Sequence, residues 1–154
     1  MVTYQSIGTV NSSAEDAFNV LGVEVCGYNP KWEREVIEIR PVTQGPIALG
    51  SRAIMVRENW GRRSEDKMTC TEFEPGRRIA WTHPNDSMDF DISFEVTPIE
   101  GGSCTLQTDV RMQPKGWMRV FEPVVRLNMC RRSDRPTASM VDVIEGADAG
   151  VPRD

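Results

Sequence analysis

Residues 88–112 read MDFDISFEVTPIEGGSCTLQTDVRM. Phe90, Ile92, Phe94 and Val96 alternate with Asp89, Asp91, Ser93 and Glu95, the period of two that a strand with one buried face imposes. Gly101-Gly102 makes a turn, and beyond it Cys104, Leu106, Val110 and Met112 alternate with Thr105, Gln107, Asp109 and Arg111. The two runs predict an antiparallel hairpin with one apolar and one polar face.

Outward from this hairpin, strands are predicted at about 35–42, 51–58, 64–73 and 77–83, separated by Gln44-Gly45-Pro46, Asn59-Trp60-Gly61 and Pro75-Gly76. Short turns make consecutive strands neighbours in a meander. Residues 2–10 read as a first strand. Asn11-Ser12-Ser13 then offers side-chain oxygens to cap a helix whose first turn carries Glu15 and Asp16. Ala14, Ala17, Phe18 and Leu21 are its apolar positions, and Gly22 or Gly27 limits it. Near the other end, Trp117, Phe121, Val125 and Met129 recur every four residues, with Met140 and Ile144 extending the stripe of a helix laid on the sheet. Pro123 suits a first turn, whereas Pro136 predicts a break near Arg132 to Arg135. Residues 1–146 are expected to form one domain and 147–154 a flexible tail.

The 154 residues suffice for a core plus a cavity. Acidic residues exceed basic ones by 23 to 18, so the basic excess that neutralises phosphates is missing and nucleic acid is excluded as an expected partner. No apolar run is long enough to span a bilayer and Met1 to Val10 does not read as a leader, so a soluble, cytoplasmic protein without membrane insertion is expected. Cys26, Cys70, Cys104 and Cys130 are too far apart for paired zinc ligands and read as reduced packing residues. With a single histidine in the chain, no metal is expected. Oligomeric state is not legible.

Further motifs lie at Ser13-Ala14-Glu15-Asp16-Ala17-Phe18, Asn29-Pro30-Lys31-Trp32, Gly45-Pro46 with Gly50, the run TEFEPGRRIAW from Thr71 to Trp81, and Gly101-Gly102. With the order strand, short helix, six-strand meander and C-terminal helix, the chain resembles the START/Bet v 1-like superfamily, and within it the polyketide cyclase/dehydrase-like branch. The resemblance spans nearly the whole chain. It implies an α+β helix-grip fold, in which a curved seven-stranded antiparallel sheet wraps a long C-terminal helix, with short helical segments after the first strand. It further implies an apolar cavity between sheet and helix and cofactor-independent cyclisation, dehydration or rearrangement of a polyketide- or terpenoid-like metabolite. Pro136 departs from the pattern, in a segment such proteins keep helical.

In a meander every second turn returns to the same edge. The turns near 60 and 85 and the chain's exit from the last strand near 115 therefore share an edge, which brings Trp32, Trp60, Trp81 and Trp117 toward one end of the sheet, with His83. The resemblance makes that end the cavity mouth. Phe90, Phe121, Val125, Asn128 and Met129 are the further candidates for contact with a ligand. If Ile37 and Ile39 face inward so does Glu35; Ile54 and Val56 would bring Glu58, and Met68 with Cys70 would bring Asp66, leaving Arg57 and Lys67 outward. Glu58, Asp66 and His83 are thus candidate proton-transfer groups, and Arg132 or Asn128 a candidate to stabilise an enolate oxygen. Each has a plainer reading: the tryptophans as core residues, His83 as a solvent-facing strand end, the carboxylates as solvated strand residues. An apolar, ring-containing ligand fits the aromatic wall, whether the protein turns it over or only binds and transfers it. An interaction module related in fold to chaperone activators is a third possibility.

Overall fold

A computed structural model describes residues 1–23, 25–32, 34–132 and 135–149. The chain runs β1 (Val2–Val10), α1 (Ala14–Phe18), a π-helical turn (Asn19–Val23) and α2 (Val25–Trp32). The meander follows as β2 (Val36–Pro41), β3 (Arg52–Asn59), β4 (Arg62–Glu74), β5 (Arg78–Pro84), β6 (Met88–Pro98) and β7 (Cys104–Pro114). A 3-10 helix (Gly116–Phe121), α3 (Glu122–Arg132) and α4 (Arg135–Ala149) complete it. The seven strands form one antiparallel sheet in the order β1-β7-β6-β5-β4-β3-β2. The α+β helix-grip architecture is the one expected.

One face of the sheet is covered. From the strands, Val10, Ala53, Met55, Met68, Cys70, Ile79, Trp81, Phe94, Val96, Cys104 and Leu106 join Phe18 and Leu21 from the first helical segment and Met140 and Ile144 from α4 in one buried cluster. Phe18 seals the far end against Phe73, edge to face at 5.7 Å. Ser13 caps α1 through a 3.1 Å bond from the Asp16 amide to its hydroxyl. Burial pushes the thiols of Cys70 and Cys104 up from their ordinary range.

The break expected near Arg132 to Arg135 falls at residues 133–134, which lie outside the described residues. Pro123 is the second residue of α3, and Pro136 is the second described residue of α4. Helix α4 continues to Ala149, past the expected domain end at 146. Residues 150–154, part of the expected tail, lie outside the described residues. Among the described residues, no helix is long and apolar enough to cross a membrane.

The β3–β4 hairpin closes through Trp60 and Gly61, with Asn59 paired to Arg62. Both turn residues have positive φ, 54° and 74°, as a tight hairpin turn of the primed kind requires. A left-handed conformation costs a side-chain-bearing residue roughly 1–2 kcal/mol, and Trp60, at 102% relative exposure, gains no burial in return. The change Trp60→Asn, which creates the favoured Asn-Gly turn, is expected to stabilise the fold by about 1 kcal/mol in urea unfolding. A loss of stability would mean that the ring packs on something in the native protein.

Candidate ligand site

The inner, helix-covered face can be followed across the strands by register. Met55 pairs with Asp66 and Ala53 with Met68; Thr69 pairs with Thr82, which sets Met68 beside His83. His83 pairs with Phe90 and Phe90 with Met112, while one step deeper Cys70, Trp81, Ile92, Val110 and Tyr4 follow in a row. A third row runs Ile79, Phe94, Thr108 and Ser6. The first row lies toward the edge carrying the 60–61 and 85–87 turns. Asn85 holds the second of these turns, its side-chain oxygen accepting from the amides of Ser87 (2.9 Å) and Met88 (2.8 Å). That turn fixes His83 against Phe90, and the rings meet edge to face at 5.5 Å.

His83 is therefore an inner-face residue with 4% exposure, and the plainer reading of it as a solvent-facing strand end is overturned. Neither ring nitrogen has a hydrogen-bond partner, and the same holds for Trp81 Nε1 and Thr108 Oγ1. Burial, and secondarily the Arg57 guanidinium, lowers the His83 pKa from 6.5 to about 4. Beside it, Arg57 Nε lies 3.6 Å from Asp66 Oδ2 and donates to Met55 Sδ at 3.1 Å. Phe90, Ile92, Val110 and Met112 are only partly covered, so an apolar floor surrounds these polar groups.

Several expected positions differ. Glu58 lies on the outer face, exposed and 3.5 Å from Arg63, because the inner parity of β3 is Ala53, Met55 and Arg57. Arg57 thus takes the place expected for Glu58, while Asp66 faces inward with Met68 and Cys70. A bulge between Val36 and Glu38 buries Val36 with Ile39 and leaves Ile37 and Glu35 exposed. The four tryptophans do not form one wall. Trp81 is buried on the inner face, whereas Trp60 projects from its hairpin tip and Trp117, 71% exposed, stacks edge to face only on Phe121 at 5.7 Å. Val125 on α3 is half-buried, but Phe121, at the end of the 3-10 helix, and Asn128 on α3 are exposed. The side chains of Trp32, Met129 and Arg132 lie outside the described residues.

Thr108 escaped notice in the sequence although a polar residue between Leu106 and Val110 at inner parity marks it. The outer face carries a groove of about 790 Å³ whose lining includes Glu72, Arg78, Asp91, Asp109 and Arg111. There Arg78 bridges Glu72, Glu95 (3.0 Å) and Ser93 (3.4 Å), and Thr82 donates to Asp91 at 2.6 Å. The buried unpartnered groups of the sheet belong to the inner face, and Ser12 Oγ, in the loop before α1, is a further one. Among the described residues, no group of three or more His, Cys, Asp or Glu side chains could hold a metal ion.

No family model matches the sequence, and a search of curated proteins finds no match. Solved structures do match along nearly the whole chain. A START superfamily protein from Mycobacterium smegmatis aligns at 17% identity with a TM-score of 0.69, over 94% of this chain and 95% of that one. The Zhui aromatase/cyclase from Streptomyces sp. R1128 aligns at 12% identity with a TM-score of 0.72, over 96% and 93%. The fold is that of the START/Bet v 1-like proteins. Norcoclaurine synthase from Thalictrum flavum, in complex with dopamine and hydroxybenzaldehyde, shares this helix-grip fold at 14% identity and a TM-score of 0.69, over 99% and 88%. At such identities the likeness establishes the fold, and the activity has to be argued from the site.

The buried imidazole has a measurable signature. Folded His83 stays neutral down to about pH 4, whereas in the unfolded chain it takes up a proton near 6.5. Below 6.5 the unfolded state binds more protons, so stability falls as the pH drops toward 4, by about 3 kcal/mol from this group. Urea unfolding of wild type and His83→Phe at pH 7, 5 and 4 should show the wild type losing that much more than the variant. Parallel losses would show that His83 titrates normally in the folded protein.

Proposed function

We propose that the chain binds an apolar, ring-containing small molecule between the inner face of the sheet and the C-terminal helices, and catalyses its cofactor-independent cyclisation and dehydration. The observation that carries this reading is a buried, neutral, unpartnered imidazole at the edge of an apolar floor, next to a guanidinium. The fold likeness to an aromatase/cyclase, and to an enzyme holding dopamine and hydroxybenzaldehyde, supports a ring as ligand and ring formation as chemistry.

In this proposal the cavity folds a flexible polyketone into a reactive conformer, which removes much of the entropic barrier. His83 takes a proton from a carbon between two carbonyls, and the enolate oxygen is stabilised by Arg57, itself held by Asp66. The enolate carbon attacks a second carbonyl of the same chain; a carbon–carbon bond forms and the new alkoxide takes the proton from the imidazolium. Loss of water then leaves a carbon–carbon double bond. Asn128 on α3 is a further candidate to meet the enolate oxygen, and Trp81, Phe90, Phe121 and Val125 would supply the apolar walls.

One observation favours a second reading, non-catalytic binding or transfer of the same ligand. Asp66 is paired to Arg57, so His83 remains the only uncommitted proton acceptor of the constellation, and a base that protonates near pH 4 is a weak one. The two readings separate on turnover of a linear poly-β-ketone thioester. Under the catalytic reading, His83→Ala should slow cyclisation about 100-fold or more and Asp66→Asn about tenfold, with Glu58→Gln, on the outer face, as the control. Equal rates in wild type and His83→Ala would remove the proton-transfer role, and binding without turnover would establish the second reading. Native mass spectrometry of the purified protein should reveal a co-purifying ring compound under either.

A further inference from the structure

Trp81 Nε1, both nitrogens of His83 and Thr108 Oγ1 are buried on one face of one sheet, and none has a partner. Their residues are 2%, 4% and 3% exposed. A buried polar atom without a hydrogen bond costs roughly 1–3 kcal/mol, and native folds rarely leave several together. These lie on a diagonal. Trp81 and His83 are two residues apart on β5, about 7 Å along the strand, and Thr108 lies two strands over and one row deeper, about 12 Å from Trp81 by strand spacing. The neighbours on the same face, Phe90, Ile92, Val110 and Met112, are apolar and only partly covered, and the rows end on β1 at Tyr4 and Ser6.

The chemistry of the three groups differs in a way that specifies a partner. An indole nitrogen only donates, a neutral imidazole donates at one nitrogen and accepts at the other, and a threonine hydroxyl does both. We infer that the ligand of this site is an oxygenated ring system rather than a hydrocarbon, with an acceptor oxygen taken by Trp81 Nε1, a hydroxyl exchanged with His83, and a second oxygen deeper in the cavity at Thr108. This rests on the ring-ligand reading above and adds to it a selection rule. The apolar floor supplies affinity for any flat ring, whereas the three groups discriminate by oxygen position. A ligand lacking the oxygens leaves the groups unpaired, which is how buried polar sites reject close analogues.

Equilibrium dialysis with naphthalene and 2,6-dihydroxynaphthalene tests the rule against wild type, Trp81→Phe, His83→Phe and Thr108→Val. Wild type should bind the diol at least about tenfold more tightly, and in Trp81→Phe and His83→Phe that preference should fall to about threefold or less while naphthalene affinity is kept. Equal affinity of wild type for the two compounds would overturn the selection rule and leave the ring-ligand reading standing. Failure of both to bind would overturn both. Thr108→Val supplies a readout that does not depend on ligand: with its hydroxyl unpartnered in the free protein, the isosteric change should raise the thermal midpoint. A lowered midpoint would show the hydroxyl bonded within the fold, and would remove Thr108 from the site.

Discussion

The pleat of the sheet is the constraint on which everything else rests. Side chains alternate across a strand, so once one residue of a hairpin is assigned to the covered face, the register assigns all the others. From Ala53 opposite Met68 the assignment passes to His83, Phe90 and Met112 and ends at Val2 on β1. No residue along that row is free to choose its face. Parity slips at two bulges, between Cys70 and Glu72 on β4 and between Val36 and Glu38 on β2, and the second buries Val36 with Ile39 and leaves Ile37 exposed.

Cover for this face is uneven. Toward the edge away from the mouth, α1 and α4 bury Ile79, Phe94, Val96 and Leu106 completely. Toward the mouth the floor of Phe90, Ile92, Val110 and Met112 is only partly covered, while Val120, Phe121, Val124 and Leu127 of the 3-10 helix and α3 stand exposed. Met140 and Ile144 of α4 pack into the core.

Much of this was legible in the sequence. The alternation in residues 88–112 and the turn residues place seven strands. The inner carboxylate of β4 follows from Met68 and Cys70. The error at Glu58 was also avoidable: a two-residue turn at Trp60-Gly61 pairs Asn59 with Arg62, and by the same register Met68 with Ala53. Met68 and Val56 therefore cannot both face the core, and Arg57 must point inward. The tryptophans misled for a different reason. Topology places a residue at an edge of a sheet, but a residue in a tight turn, like Trp60, projects along the strand axis into solvent. The bulge at Val36 and the burial of His83 depend on three-dimensional packing that no local pattern encodes.

The residues that break local rules are then the informative ones. A sequence that specifies a fold does so by agreement among pattern, turn chemistry and polar satisfaction, and departures concentrate where something other than folding is selected. Here the inner face breaks the apolar pattern at Ser6, Arg57, Asp66, His83 and Thr108, among others. Two of these are explained within the fold, since Arg57 and Asp66 pair. His83 and Thr108 are not, and neither is the indole nitrogen of Trp81. Leucine or valine at 83 and 108 would satisfy the sheet at no cost in unpaired polar groups. The stability given up at these positions is intelligible if the partners they lack arrive with a ligand, whose oxygens would complete the hydrogen bonding that the fold leaves open.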